Sequence, residues 1–456
     1  MSAPRLSPLE VARGALARGR ALSAELEVYV QQARTTQIKT FEGKVESVTV
    51  AEPRGMGIRA IRDGRVGYAF TADLSAAGTD RALHQAVANL EVADPDPFAA
   101  LPERPPQPYP ALQGLWRPGL AATTLDRKVQ ITLEVEAAAL AVPNIVMVES
   151  SVYSAEEARA AIVSTRGIEA EAEESFCFAY AEAIAGRGDE RQTGFGFTTG
   201  REPAELEPAE AGREGAAKAA ALLGAKPCPT GSYTVVFDRE ITAALVASIV
   251  QALSADSVQK GRSVFAGKLG EMVGSSLLTL FDDGTADGGM ATSPFDGEGL
   301  PQQKTPLIEG GMLRSFLHSS YTARKQGGGT LSTGNGIRGS YRALPGVGPT
   351  NLIVQPGKGS LDDLFARVKQ GLYVESVAGL HSGVNPISGE ISVGVTGRLI
   401  EGGALTTPVR EVTIATDFLG LLGSVSDIAG DARWIPLHGS VRTPSIAARG
   451  IAVSGT

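Results

Sequence analysis

Apolar and polar residues follow two periods along this chain, and the periods separate helical from extended segments. A spacing of three to four residues predicts helices in the first half at residues 7–22, 75–91, 124–141 and 205–223. Alternation with a period of two predicts strands at residues 24–31 and through residues 36–75. Within the second of these segments, Asp63-Gly64 has the composition of a hairpin turn.

Residues 144–200 alternate over a long stretch and predict an antiparallel meander of four or five strands. Its turns are expected near residues 154–155, 166–167 and 187–189. The proline-rich residues 93–119 are expected to form an irregular connector, because proline blocks helical and inner-strand hydrogen bonds.

The second half is organised around residues 239–285, which begin with an apolar helix. A short basic helix or turn, a loop punctuated by glycine and a strand with a hairpin are expected to follow. Beyond them the sequence predicts a hairpin at residues 308–311, a short helix at 321–325, a Gly-rich loop at 326–339, a helix at 361–370 capped by Gly371, and strands and turns from residue 372.

The sharpest break in the chain is the Pro/Gly segment at residues 226–231, which follows a helical pattern and precedes a strand pattern. We therefore expect an α+β fold with two domains. Residues 1–225 would form an antiparallel sheet with helices, and residues 226–456 a strand-rich domain, barrel-like or sandwich-like, with a few helices.

Composition excludes several classes of protein. Apolar residues make up 43% of the 456 residues, which is enough for extensive cores. The net charge is -8 and the basic residues are scattered, which disfavours nucleic-acid binding. The two cysteines, Cys177 and Cys228, cannot form a disulfide framework, and the sequence shows neither a signal peptide nor a membrane-length apolar run. These features predict a cytoplasmic protein that does not bind membranes.

The apolar helix could be a metal-binding helix or a core helix. Leu245, Ile249 and Leu253 form an apolar stripe at four-residue spacing, which favours the core. The four histidines, His84, His318, His381 and His438, have no His, Cys or acidic neighbour at the spacing of zinc ligands.

Other candidates for chemistry are weaker. The sequence has no GxSxG elbow, and both cysteines are expected to be buried and inert. His318 is expected to end a strand, with Ser319 or Ser320 capping the next helix. The Gly-rich loop lacks the phosphate-binding pattern and is expected to form a lid or line a channel, while Asp282, Asp283 and Asp287 indicate turns rather than a calcium loop.

Several stretches are similar to those of one protein family. They are SVQKGRSVFAGKLGEMVGSSLLTLFDDGT at residues 257–285, SSYTARKQG at 319–327 followed by STGNGIRG at 332–339, GLYVESVAGLHSGVNPISGEISVGVTGRLIEGG at 371–403 and PVREVTIATDFLGLLGSVSDIAGD at 408–431, with a further likeness at 45–75. The chain resembles the TldD/TldE (PmbA) family. The resemblance implies a TldD–TldE assembly that acts as a zinc-dependent peptidase on small, unstructured peptides; the family's older label is modulator of DNA gyrase.

The two branches of that family differ in the apolar helix. The TldD branch carries HExxxH before the KGxSVF segment, and these three positions correspond to about Val246, Ala247 and Gln251 here. Side chains of these types cannot bind zinc or activate water. The chain therefore resembles the TldE/PmbA branch, so we expect no catalytic or metal-binding residue and no cofactor in this chain, and zinc in the partner subunit.

The resemblance implies a metal-free subunit that helps to form the peptide chamber while a TldD-like partner supplies the zinc site. Whether the chain has activity of its own stays open. An extended peptide could be held by strand addition at a sheet edge. The residues expected to line the chamber are His318, Arg324, Gly327, Gly328, Gly329 and Asn335.

Two alternatives stay open. One is a homodimeric protein that binds a peptide or another partner without proteolytic activity. The other, weaker alternative is an enzyme that uses His318 or His381 together with a Cys or Ser residue.

Overall fold

A seven-stranded antiparallel sheet forms the first half of the chain. The computed structural model describes residues 7–437 and 439–456. The strand order is β4-β3-β1-β5-β6-β7, and β2 pairs with the far end of β1. The strands are β1 (Glu25–Phe41), β2 (Lys44–Ala51), β3 (Arg54–Arg62), β4 (Arg65–Thr71), β5 (Ile145–Ser164), β6 (Glu169–Arg187) and β7 (Glu190–Gly200).

The predicted meander is antiparallel, but it has three long strands rather than four or five. The turn expected at Ser154-Ala155 is wrong, because both residues lie inside β5. Ser154 pairs with Gln37 of β1 on one side and with Phe178 of β6 on the other. Two ladders hold this Ser-Ala pair extended, and sequence-local turn propensity does not contain that information.

Within the described residues of the first half, five helices accompany the sheet. Ser7 caps α1, as the sequence predicts, and the structure adds a capping box with Glu10. Helices α1 and α2 enclose one core with β1 and β3, and α4 and α5 cover β5–β7. Their bounds are α1 (Pro8–Gly19), α2 (Ala76–Ala88), α3 (Pro118–Ala122), α4 (Leu125–Leu140) and α5 (Pro208–Ala221), with 3-10 turns at Asn89–Val92 and Pro203–Glu205.

A closed five-stranded barrel forms the centre of the second half. Its order is β17-β16-β15-β8-β21, and pairing between β17 and β21 closes it. Its strands are β8 (Gly231–Phe237), β15 (Gln370–Ala378), β16 (Glu390–Glu401), β17 (Ala404–Asp417) and β21 (Ile446–Ser454), with β18 (Val425–Ile428) paired to β21.

A second sheet lies beside the barrel in the order β11-β10-β9-β14-β20-β19, and β12 and β13 form a separate pair. Its strands are β9 (Leu280–Asp283), β10 (Lys304–Glu309), β11 (Met312–Leu313), β14 (Asn351–Val354), β19 (Arg433–Ile435) and β20 (Ser440–Thr443), and the pair is β12 (Gly336–Ile337) and β13 (Gly346–Val347). The helices of this half are α6 (Arg239–Ala252), α7 (Ala255–Gln259), α8 (Ser320–Gln326), α9 (Leu361–Val368), α10 (Leu380–Gly383) and α11 (Phe418–Ser424).

Gly371 does not cap α9, so that prediction is wrong. The helix ends at Val368, and Lys369 takes the positive φ of 64° at the cap. Gly371 lies in barrel strand β15, where an added Cβ would meet the Thr234 carbonyl oxygen at 2.2 Å. This glycine permits close approach of two barrel strands rather than helix termination.

The architecture confirms the expected α+β class, with an antiparallel sheet and helices first and a barrel-containing part second. The division into domains at residue 226 stays a prediction.

Candidate functional site

Helix α6 lies in the largest core of the protein. Asp238 caps it by accepting a hydrogen bond from the Glu240 amide at 2.8 Å. The predicted stripe of Leu245, Ile249 and Leu253 is buried with residues of the barrel and the second sheet. The helix therefore packs as a core helix.

The three positions that are expected to correspond to the zinc motif, Val246, Ala247 and Gln251, differ in their surroundings. Val246 and Ala247 are 7% and 3% exposed and pack in or beside the core, whereas Gln251 is exposed. None of the three side chains has a group of the type that binds zinc in proteins. In the described part of the chain, no three His, Cys, Asp or Glu side chains are grouped as a metal site would require.

The predicted chamber residue His318 lies beside the end of α6. The Leu317 amide donates to the Leu253 carbonyl at 3.0 Å, and the Ala255 amide donates to the Leu317 carbonyl at 2.9 Å. The His318 side chain is 6% exposed, and burial lowers its pKa. Its Nδ1 has no hydrogen-bond partner among the described residues. His438 lies outside the described residues.

Arg324 forms hydrogen bonds with the proline-rich connector, which the sequence did not indicate. Its Nε donates to the Phe98 carbonyl at 2.8 Å, and a terminal nitrogen donates to the Ala100 carbonyl at 2.7 Å. The guanidinium therefore fastens the proline-rich connector to α8. Burial lowers the pKa of Arg324.

Asn335, within the Gly-rich loop, is fully buried in a polar network. Its Nδ2 donates to Asp282 Oδ2 at 2.7 Å and to the Gly348 carbonyl at 3.0 Å. Asp282 also accepts hydrogen bonds from the amide and hydroxyl of Thr350, both at 2.7 Å. Burial raises the pKa of Asp282 to about 6. These contacts give Asn335 a role in joining β9 to the loops.

Gly327, Gly328 and Gly329 follow the end of α8, which Ser319 caps as predicted. All three have φ between 62° and 78°, which side chains rarely adopt. An added Cβ would meet no atom within 4 Å at any of them. This part of the loop is therefore open to solvent, while Arg324 and Asn335 on either side are anchored.

A cavity of about 860 Å³ lies between the first sheet and loops of the second half. Sequence reasoning missed it. On the sheet wall, Ala158, Ala160 and Ala172 supply small side chains, while the opposite wall carries several glycines between residues 297 and 439. The space exists because both walls have small residues where they face each other. The alternating alanines of β5 and β6 could be identified from the sequence, but the residues that face them across the cavity could not.

Four buried charged residues join the two halves beside this cavity, and one of them, Arg338, lines it. Glu27 of β1 pairs with Arg59 of β3 and with Arg338 of the Gly-rich loop. Glu298 lies 3.7 Å from Arg59 and accepts hydrogen bonds from the Ser320 amide at 2.7 Å and its hydroxyl at 2.6 Å. Burial alone would lower the pKa of Arg59, but the charges of Glu27 and Glu298 raise it.

Asp296 lies next to this network on the cavity wall. One carboxylate oxygen accepts from the amides of Glu298 and Leu300, both at 2.9 Å, and the other accepts from the Gly336 amide at 2.8 Å. Burial, followed by the charge of Glu298, raises the pKa of Asp296 to about 7. These hydrogen bonds fix the loop geometry on that side of the cavity.

Both cysteines are buried. Burial raises the pKa of Cys177 to about 12, so this thiol is protonated at neutral pH and is a poor nucleophile. No helix in the described ranges 7–437 and 439–456 is long and apolar enough to cross a membrane.

Comparison with known proteins places nearly the whole sequence in one family. Residues 26–90 match the PmbA/TldA metallopeptidase domain 1, residues 118–223 match the central domain, and residues 230–455 match the C-terminal domain. An uncharacterized protein of Methanocaldococcus jannaschii is 30% identical over 369 residues, which cover 81% of this chain and 83% of that protein.

Two solved structures share the fold over 98% of this chain. One is a candidate modulator of a DNA gyrase from Thermotoga maritima, with a TM-score of 0.89 and 28% identity, and 99% of that chain is covered. The other is TldE from Thermococcus kodakarensis, with a TM-score of 0.90, 22% identity and full coverage of that chain (100%). With all three family domains matched in order along it, this chain belongs to the PmbA/TldD metallopeptidase family.

Proposed function

We propose that this chain is the metal-free, TldE-like subunit of a cytoplasmic, heteromeric zinc metallopeptidase that processes or degrades small unstructured peptides. A TldD-like partner would supply the zinc, the attacking water and the general base. The observation that carries the proposal is the chemistry of α6. The three motif positions hold Val246, Ala247 and Gln251, and none of these offers a zinc ligand or a base.

Burial supports the same conclusion independently of residue type. A side chain that binds a catalytic zinc ion must face a site open to water and substrate, because such a zinc ion keeps one coordination position open. Val246 and Ala247 are instead packed at the core, so this part of α6 faces protein rather than a reaction chamber. The helix keeps the family scaffold and contributes stability.

This chain would contribute part of the chamber wall. The segment that starts at the buried His318, beside the end of α6, continues through α8 to the open glycines 327–329. A loop whose ends are fixed by Arg324 and Asn335 can move locally without losing its position. That arrangement suits a surface that admits flexible peptides.

The test uses three samples: this chain, a TldD-like protein of the same organism, and the two co-expressed. We expect zinc in the partner and in the mixture, no zinc bound to this chain, and chelator-sensitive cleavage of an unstructured peptide that is fastest in the mixture. Chelator-sensitive cleavage by this chain alone would overturn the proposal. A stable homodimer that binds peptide but never co-purifies with the TldD-like protein would favour the alternative of a binding protein.

A further inference from the structure

Strand β2 forms an open edge of the first sheet. It pairs with β1, and no other strand or backbone group in the described residues bonds to it. β2 and β3 lie one after the other along β1, and β4 covers the outer edge of β3 but ends at Thr71, opposite Met56. No described strand continues the line of β4 beside β2. An edge strand of this kind presents unpaired N–H and C=O groups that can pair with another chain.

The side chains of β2 are also exposed, and several are apolar. All eight residues are exposed, which is true of no other strand in the described ranges. Val45, Val48 and Val50 are 46%, 42% and 49% exposed. An exposed apolar edge is a template for strand pairing, and folded proteins usually shorten such edges or place charges on them. β2 therefore has the composition of a strand that acquires a neighbour by association.

A bulge brings the three valines to one face of the sheet. Lys39 of β1 lies opposite Ser47, and the next residue of β1, Thr40, lies opposite Val45, so Glu46 is the extra residue of the bulge. The other two valines lie opposite β1 residues that share the face of Thr40. The Glu46 carboxylate is paired with Lys39 Nζ at 2.9 Å, so the bulge adds no unpaired charge to the edge.

The spacing of the valines is self-complementary. When two copies of β2 are placed antiparallel around a two-fold axis at Val48, the two Val48 side chains lie opposite each other. Because Glu46 is a bulge residue, Val50 of each copy then lies opposite Val45 of the other. No like charges oppose each other in this register. The remaining opposite pairs are Ser47 with Thr49 and Lys44 with Ala51.

We propose that β2 binds β2 of a second copy of this chain, antiparallel and centred on Val48, so that two first sheets form one continuous sheet. The two-fold symmetry of the valine match is the observation that selects a second copy over a different protein. Each copy contributes its one open β2 edge, so the assembly closes as a dimer and does not grow into a filament. The inference concerns the first sheet and does not rest on the proposed assembly with a TldD-like partner.

The test measures self-association of the full chain by sedimentation velocity over a series of concentrations. We expect a monomer–dimer equilibrium. Val48→Lys places two ammonium groups opposite each other at the axis, so it should raise the Kd of the dimer by at least about tenfold. The matched control is Val146→Lys, because Val146 is an exposed valine (52%) of β5 outside the β2 edge. It should leave the Kd within about twofold.

A charge exchange then tests the register itself. Val48→Glu should weaken the dimer as Val48→Lys does, whereas an equimolar mixture of the two variants should associate at least about tenfold more tightly than either variant alone. This rescue requires that residue 48 lie opposite residue 48 of the other copy. Circular dichroism and thermal unfolding confirm that each variant is folded, as expected for substitutions at an exposed position.

Three results would overturn the proposal. They are a chain that is monomeric at every concentration, a dimer that Val48→Lys does not weaken, and a mixture that associates no more tightly than the single variants. If Val48→Lys instead abolishes binding of a TldD-like protein while the parent chain alone is monomeric, β2 belongs to the interface with that partner and the proposal is wrong.

Discussion

Glu27 and Arg338 are 311 positions apart in the chain and form an ion pair in which both side chains are 1% exposed. Glu27 belongs to the first strand of the first sheet, and Arg338 belongs to the Gly-rich loop of the second half. Their pairing, together with Arg59 and Glu298, fixes one wall of the cavity against the other. These buried charges are therefore one of the sets of contacts that hold the two halves together.

Breaking this pair should destabilise the protein strongly. In Arg338→Met the loop loses its ion pair and its hydrogen bonds to Gly297 and Ala343, and Glu27 keeps only Arg59. We expect the free energy of unfolding to fall by about 3–5 kcal/mol, as for other buried pairs that lose one member. Denaturation in urea measures the change.

The matched control is Arg314→Met, because Arg314 makes an exposed ion pair with Glu309 at 3.0 Å. Such pairs contribute about 0–1 kcal/mol. Equal losses in the two variants would show that the buried pair has no special role.

Local signals in the sequence predicted the elements that are held by local contacts. Ser7 and Ser319 cap helices through amides three residues away, and Asp63-Gly64 turns with φ of 51° and 73°. The errors arose where distant strands decide the conformation. The Ser154-Ala155 pair is held straight by two neighbouring strands, and Gly371 is required by the approach of β8 to β15.

The candidate site likewise has features that residue types alone predict and features that only tertiary packing creates. The chemistry of α6 could be assessed from residue types alone, since valine, alanine and glutamine bind no zinc in any fold. The cavity could not be predicted, because Glu174 and Asp296 belong to different halves and meet only through tertiary packing. Arg324 was expected to line the peptide chamber, and that expectation stays a prediction. Its partners in the structure are backbone carbonyls of the connector, and a sequence does not reveal such partners.

A glutamate introduced into α6 should change the stability of the protein by different amounts at Ala247 and at Gln251. Ala247 is 3% exposed, so Ala247→Glu would bury a carboxylate without a partner, and we expect a loss of several kcal/mol or failure to fold. Gln251 is exposed, and Gln251→Glu should change stability by no more than about 0.5 kcal/mol. Thermal unfolding compares the two. Similar stability would mean that α6 faces an open chamber at position 247, against the core packing described above.

The stability of the protein should depend on pH through Glu174. Burial raises its folded-state pKa from 4.5 to about 7, so the folded state holds the proton more tightly than the unfolded state. This contribution is fully present below pH 4.5 and is lost as pH rises through about 7. In Glu174→Gln this part of the pH dependence should disappear, and the variant should be more stable than the parent protein at pH 8, by at most about 3 kcal/mol.

Unfolding curves at several pH values between 4 and 8 measure this difference. Glu173→Gln serves as the control, because Glu173 lines the same cavity but is already paired with Arg159. If Glu174→Gln and the parent protein show parallel pH profiles, the carboxyl group of Glu174 is ionised throughout and better solvated than its burial indicates.

Arg324 should hold the proline-rich connector, residues 93–119, against α8. Its two hydrogen bonds to the carbonyls of Phe98 and Ala100 are contacts that attach this irregular segment to α8. In Arg324→Met these carbonyls lose their donors, and we expect faster hydrogen exchange and faster proteolytic cleavage in the connector, while the barrel is unchanged. Lys325→Met is the matched control, since the Lys325 ammonium lies 5.8 Å from the Tyr321 ring centroid and is not a donor to the connector. Equal protection of the connector in both variants would show that Arg324 does not hold it and would leave that guanidinium free for the role in peptide binding that the sequence suggests.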